Sequence, residues 1–316
     1  MTALSALGSA ILPVLSIAVV GYLVSRATSI ETDAIATVSI YVLLPALVFD
    51  SLATSEIAGG TVAVFLLGTI LFSLAMAVIG EGVGRTVSTA GGAVDATVMT
   101  GAFPNVGNYG IPFMAFAFGA VGRSAAVLFV VGQSLVMYTV GVYVASRGAA
   151  ASARTAVIRI LTLPLLYATV AGLGVQAIDA VPPTDSTAME TIGLVGDAAI
   201  PLMLLLLGME LANMGEVGPL RRVLPGSVLK LFVAPLVAAA IGLALGLSGT
   251  IGRVFVLEAA MPTAITPLAL SVEFGQGSRG LDATEYLASA ILLTTLASVL
   301  TLTALLALIT SGWSPI

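Results

Sequence analysis

The chain has 316 residues, of which 59% are hydrophobic and only 9% charged, and its mean hydropathy is +1.14. This composition excludes a water-soluble protein. The absence of Cys and His excludes disulfides, thiolate metal sites and imidazole catalysis, and the few basic residues are too scattered to predict nucleic-acid binding.

Apolar runs recur along the whole chain, and each is long enough to cross a bilayer, which takes about 20 residues of helix. The predicted spans are residues 5–25, 34–53, 61–84, 93–120, 124–146, 156–178, 188–211, 226–248, 251–275 and 284–310. Because the connections are too short for soluble domains, we expect one all-α polytopic membrane protein with ten transmembrane helices.

The basic residues predict the orientation of the chain, because Lys and Arg accumulate in cytoplasmic loops. If both termini are extracellular, most of the 11 basic residues fall on the cytoplasmic side. These are Arg26, Arg85, Arg147, Arg154, Arg159, Arg221, Arg222, Lys230 and Arg279. The sequence therefore predicts a multi-pass protein of the cell membrane with extracellular termini.

The fourth apolar run contains a break. Its centre reads Phe103-Pro104-Asn105-Val106-Gly107-Asn108-Tyr109-Gly110-Ile111-Pro112. Proline removes a backbone donor and breaks a helix, and glycine allows the chain to turn. In hydrocarbon, freed backbone groups are tolerated only where they face protein or a water-filled cavity. We therefore predict helix breaks at Pro104 and Pro112, with Asn105, Gly107, Asn108 and Tyr109 as substrate-binding residues.

A similar break interrupts the ninth run, in the stretch Met261-Pro262-Thr263-Ala264-Ile265-Thr266-Pro267. We predict helix breaks at Pro262 and Pro267, and substrate contacts from the hydroxyls of Thr263 and Thr266. Threonine often bonds back to its own helix, so a purely structural role for the hydroxyls is equally open.

The two breaks are separated by about half of the chain, and so are Pro45 and Pro201 in the second and seventh runs. We therefore divide the chain into a first five-helix repeat, residues 1–150, and a second, residues 151–316. Because five is odd, the second repeat must enter the membrane inverted. Interrupted helices at matching positions of inverted repeats indicate a transporter site near the bilayer midplane.

Two asparagines stand in the first break, Asn105 and Asn108. Half-helix N-termini attract anions, and amide groups donate hydrogen bonds to a carboxylate without a buried charge. The alternative is that the amides only cap the broken backbone. We favour a binding role, because capping needs one polar group and two are present.

Glu258 stands one helical turn before Pro262, about 6 Å from the second break. A carboxylate at this depth is a functional candidate by default. We predict that it couples transport to an ion and consider two partners, a sodium ion bound by Glu258 or a proton that it carries. A third possibility is a structural pair with Arg253. Gln133 is a second candidate for ion coupling, although ordinary interhelical hydrogen bonding explains it equally well.

The remaining acidic residues of the apolar runs give less indication of a function. Asp50, Asp95, Glu210 and Glu273 lie near predicted helix ends, where we expect them to be solvated. Asp197 lies one turn before Pro201, and no partner is evident from the sequence.

The sequence resembles the auxin efflux carrier family over essentially its full length. The first crossover motif of that family is matched by Pro104-Asn105 with Gly110-Ile111-Pro112. The second is matched by Ala259-Ala260-Met261-Pro262 with Pro267. The long cytoplasmic loop of plant members is absent, and plant exporters carry glutamine where Glu258 stands.

The resemblance implies a ten-helix fold related to bile acid–sodium symporters. Helices 1, 2, 6 and 7 would form a scaffold that often dimerises, and helices 3–5 and 8–10 a mobile transport domain that moves like an elevator. It also implies that Asn105 holds an organic carboxylate.

We therefore predict a secondary active carrier of a small organic anion, with no enzymatic activity and no bound organic cofactor. The expected partners are the carboxylate substrate, the lipid bilayer and a second copy of the chain. A membrane-embedded sensor and a passive channel of the same fold are the alternatives. An intramembrane enzyme would have to use Asp, Glu, Ser or Thr, and no catalytic motif is recognisable.

Overall fold

The computed structural model of the protein describes residues 7–88, 90–147, 158, 160–214 and 218–311. The main helices are α1 (Leu12–Ala27), α2 (Thr32–Ala53), α3 (Gly59–Val87), α4 (Gly91–Ala102), α5 (Val106–Ala145), α6 (Pro164–Ala177), α7 (Thr187–Ala212), α8 (Leu220–Ala244), α9 (Gly249–Ala259), α10 (Thr266–Phe274) and α11 (Gly277–Thr310). The predicted all-α fold class is confirmed.

Six of these helices are long and apolar enough to cross a membrane, namely α2, α3, α5, α7, α8 and α11. Helices α1 and α6 are shorter apolar helices. The predicted run 93–120 is divided between α4 and α5, and the run 251–275 between α9 and α10. Helix α5 continues into the next predicted run, but it is kinked at Gly119, whose φ of 62° suits glycine. The protein is therefore a multi-pass membrane protein.

Both interruptions are narrower than the sequence predicted. Pro104 lies between α4 and α5, and Pro262 lies between α9 and α10. By contrast, Pro112 stands within α5, two residues after the end of a wide π-helical turn, Val106–Gly110. Pro267 is the second residue of α10. Pro267 is tolerated there because the N–H groups of a first helical turn have no intrahelical acceptor.

The helices pack in two groups. Helix α1 packs along α7, and α2 packs against α6 and α7. Helices α3, α4 and α5 pack against one another and against α9 and α11. The first turn of α5 also contacts α7, so the first break lies where the two groups meet.

Three of the acidic residues that the sequence predicted to be solvated are held by polar partners instead. Asp50 accepts a 2.8 Å bond from Arg123, which also reaches Asp197 at 2.7 Å. Asp95 is buried and accepts bonds from Arg147 and Arg279 at 2.6–3.1 Å.

Glu210 accepts a hydrogen bond from the Asn108 amide at 3.2 Å. Glu273, by contrast, is exposed, as predicted. The corrections share one cause, since a carboxylate near a helix end can meet a hydrogen-bond donor on another helix before it meets water.

Candidate binding site at the two helix breaks

The two breaks pair with each other as short antiparallel segments. Pro104 and Thr263 form an isolated bridge. The Asn105 N–H donates to the Pro262 carbonyl at 2.7 Å, and the Ala264 N–H donates to the Phe103 carbonyl at 3.0 Å. Each break thus supplies backbone partners that the other lacks, which a chain without nearby water requires.

Asn105 combines deep burial with an unused donor. The residue is 6% exposed, and its Nδ2 has no hydrogen-bond partner within the part of the chain that the structure describes. Its backbone carbonyl accepts from the Gly110 N–H at 3.0 Å, which closes the π-helical turn at the start of α5. Next to it, a Cβ added to Gly107 would meet no atom within 4 Å. The start of α5 therefore contains a buried amide donor and, two residues later, a glycine with open space beside it.

Gln133 supports this break from the second half of α5. It is buried, and its Nε2 donates to the Pro104 carbonyl at 2.9 Å, while its Oε1 has no partner. Proline leaves neighbouring carbonyls without helical donors, and the Gln133 amide supplies one. Gln133 thus contacts the break directly.

The threonines of the second break differ in burial. Thr263 is fully buried, its N–H donates to the Thr294 hydroxyl of α11 at 3.1 Å, and its hydroxyl lies 3.5 Å from the Thr100 carbonyl. Thr266 is the first residue of α10 and is half-buried. The structure therefore places Thr263 in the crossing itself and Thr266 at its edge.

Asn108 and Tyr109 connect the first break to other helices. The Asn108 Nδ2 lies 3.2 and 3.4 Å from the two carboxylate oxygens of Glu210 on α7. The Tyr109 hydroxyl accepts from Ser298 of α11 at 3.4 Å, and its ring packs edge-on against Phe113. Asn108 therefore bridges the two groups of helices, whereas the buried Tyr109 packs within one of them.

Glu258 is fully buried near the end of α9, and neither of its carboxylate oxygens has a hydrogen-bond partner among the described residues. It lies against the first break, because a Cβ added to Gly110 would overlap the carboxylate. Arg253, the structural partner that the sequence left open, makes no hydrogen bond to it. The structure thus brings Glu258 to the same crossing as Asn105.

Sequence reasoning missed Lys230, which it placed on the cytoplasmic side. The structure places this residue within α8, fully buried, with its ammonium donating to the Ala259 carbonyl at 2.9 Å. The available signal was its position inside the apolar run 226–248, because an ionisable residue within a membrane span is a functional candidate. The prediction of orientation counted Lys230 among the basic residues of the cytoplasmic loops instead.

A cavity of about 410 Å³ lies between α1, α7 and α11. Its wall includes Tyr109 of the first break, Thr295 of α11 and the guanidinium-bearing Arg26 at the end of α1. The rest of the lining is mainly apolar. The cavity has the volume and mixed lining that are typical of small-molecule sites, and it reaches the break.

Comparisons with known proteins agree with this architecture. The sequence profile described as "Membrane transport protein" matches residues 7–306. A "Putative malonate transporter" from Rhizobium meliloti is 28% identical over 327 residues, which cover 96% of each chain. An "Uncharacterized transporter" from Methanothermobacter thermautotrophicus is 26% identical over 276 residues, covering 83% of this chain and 87% of the other. The chain therefore belongs to the membrane transport protein family, the auxin efflux carrier-like family that its motifs resemble, and it is a transport protein rather than an enzyme.

Proposed function

We propose that the protein is a secondary active transporter of a small organic carboxylate, which binds where the two helix breaks cross. The observation that carries this proposal is the Asn105 amide, a buried donor at the break that no described residue satisfies. A native protein rarely leaves such a donor unsatisfied without a functional reason. A substrate oxygen would satisfy it.

The surroundings favour an anion of modest size. The start of α5 presents the positive end of a helix dipole, and the space beside Gly107 is open. Asn108 is within the same turn and would add a second amide donor. Malonate is the first substrate to test, because one relative is named a putative malonate transporter. A dicarboxylate would also suit two amides.

We also propose that the chain forms two inverted five-helix repeats and that it transports by an elevator-like movement. The packing of α1, α2, α6 and α7 with one another supports a scaffold, and the packing among α3, α4, α5, α9 and α11 supports a transport domain. The cavity beside Tyr109 includes Arg26, which the charge bias assigns to the cytoplasm. We infer that this conformation is open to the cytoplasm, with both termini outside the cell membrane.

Glu258 is the residue that we propose for ion coupling, with Gln133 holding the adjoining break. Glu258→Gln tests the assignment, since glutamine resembles the protonated acid. If sodium is coupled, the variant should bind substrate but lose its sodium dependence. If a proton is coupled, it should exchange substrate without concentrating it along a pH gradient. Normal accumulation under both gradients would show that Glu258 is not the coupling residue.

Uptake into proteoliposomes tests the main proposal. The purified chain should accumulate labelled malonate or another small carboxylate, with saturation and with competition among related acids. Malonamide is a matched control, because it keeps the size of malonate and removes its charges, and it should not compete. Saturable binding without uptake would favour the sensor, and flux that never saturates would favour the channel.

We also propose a homodimer joined through the scaffold helices α2 and α7. Large apolar side chains on α2 are exposed, and Tyr41 is 62% exposed. Because the chain has no cysteine, Tyr41→Cys introduces the sole thiol. Crosslinking in native-like lipid should trap a dimer if this face is shared. A chain that remains monomeric in lipid, with or without the thiol, would contradict the proposal.

A further inference from the structure

Lys230 is held at the second helix break by a backbone carbonyl and an aromatic ring. It lies in a wide π-helical turn of α8, Leu229–Val233, and its side chain is fully buried. Its ammonium donates to the Ala259 carbonyl at 2.9 Å and lies 5.7 Å from the centre of the Phe72 ring. A carbonyl at the end of α9 and an aromatic face are both groups that bind cations.

The Lys230 ammonium also acts on Glu258. The ammonium donates to the carbonyl of Ala259, the residue that follows Glu258, and this places the two opposite charges near each other at the end of α9. Both side chains are fully buried, and the Glu258 oxygens have no hydrogen-bond partner. A buried charge is very costly unless an opposite charge compensates it, so each of these residues explains how the other is tolerated.

A sodium ion bound by Glu258 is one of the two coupling ions considered from the sequence, and the residues present do not fit one. A sodium ion would need oxygen ligands from the broken backbone and a carboxylate of uncompensated charge. Here the Ala259 carbonyl already accepts a hydrogen bond from the Lys230 ammonium, which also brings a positive charge next to Glu258. A sodium ion would add a second positive charge beside a single carboxylate in a region from which water is excluded.

We propose that Lys230 is a built-in cation, whose ammonium replaces a bound sodium ion at the second break. The protein then needs no sodium to hold the crossing together, and its transport is independent of sodium. Only the statement about transport rests on the proposed function. The central statement concerns cation binding by the folded protein and can be tested without any substrate.

The test is the thermal unfolding of the purified full-length chain in sodium chloride and in choline chloride at equal ionic strength. The wild-type melting temperature should be the same in both salts. Lys230→Ala removes the ammonium and leaves the Glu258 carboxylate in a vacated space. Its melting temperature should be lower in choline and should rise by several degrees in sodium, since a ligand that binds only the folded state stabilises it.

Two further variants test whether the sodium response depends on Lys230 and Glu258 specifically. Lys230→Ala combined with Glu258→Gln should not respond to sodium, because the carboxylate that would bind the ion is gone. Arg85→Ala is a matched loss of positive charge, because Arg85 is exposed and pairs with Glu81 on the surface. It should behave like the wild type in both salts.

If the alanine variant does not fold, Lys230→Gln replaces it in the same test, because the glutamine amide can still donate to the Ala259 carbonyl while the charge is lost. Sodium-specific stabilisation of the wild type would overturn the proposal, and so would the absence of a sodium response in the folded Lys230 variant. Uptake by the wild type in sodium-free proteoliposomes adds an independent measurement. A lack of uptake in every salt would reject the proposed transport function while the melting data still decide the role of Lys230.

Discussion

Arg123 and Asp197 are joined by a 2.7 Å ion pair although 74 residues separate them in the sequence. The same guanidinium donates to Asp50 at 2.8 Å. Arg123 belongs to α5, whereas Asp50 belongs to α2 and Asp197 to α7. The pair thus connects the proposed transport domain to the proposed scaffold, and an elevator movement would have to break it.

Arg123→Met should destabilise the protein by about 1–3 kcal/mol, because the Asp50 side chain is largely buried and would lose its cationic partner. Asp197→Asn should cost less than about 1 kcal/mol, because the Asp197 side chain is 67% exposed. Thermal unfolding of both variants in detergent measures the difference. Equal costs for the two substitutions would contradict the assignment of Asp50 as the main partner.

Gly110→Ala should disrupt the crossing, because an added methyl group would overlap the buried Glu258 carboxylate. Gly107→Ala is the matched control for folding, because its methyl group would meet no atom within 4 Å. We expect a clearly lower melting temperature for the first variant and an unchanged one for the second. If Gly107→Ala keeps its stability but weakens substrate binding, the open space beside Gly107 is occupied by substrate.

Asn105→Ala should weaken binding of the transported carboxylate by roughly 1.5–3 kcal/mol, the range for a hydrogen bond to a charged group. The protein should remain folded, since alanine suits the start of a helix and the lost amide donor has no protein partner. Binding measured by calorimetry gives the change. Asn213→Ala is the control, because Asn213 bonds to Ser25 and Thr32 at the helix ends. Equal affinities for all three proteins would remove Asn105 from the site.

Glu210→Ala should raise the affinity for the substrate several-fold, because Glu210 now holds the Asn108 amide that we assign to the substrate. Glu210→Gln should also raise it, since the negative charge beside the site is lost while the hydrogen bond to Asn108 remains available. Competition binding with the wild type as reference measures both. A loss of affinity in the two variants would show that Glu210 positions Asn108 for the substrate instead.

The sequence by itself determined the features that depend on single segments. Composition alone gives membrane-spanning helices, because backbone groups in hydrocarbon must be satisfied within the protein and a helix does this locally. Pro104 and Pro262 mark both breaks, since proline acts on the few residues next to it. The same local chemistry identified Asn105 and Glu258, which are polar groups at depths where polar groups are costly.

Only the tertiary structure decided which polar groups meet. Lys230 is hydrogen-bonded to Ala259, which is 29 residues away in the sequence, and Asn108 to Glu210, which is 102 residues away. Such pairings depend on the rotation and depth of each helix, which hydropathy does not encode when lipid and the protein interior are equally apolar. For the same reason the positive-inside rule misplaced Lys230, since it counts basic residues along the chain and takes no account of a carboxylate on a neighbouring helix.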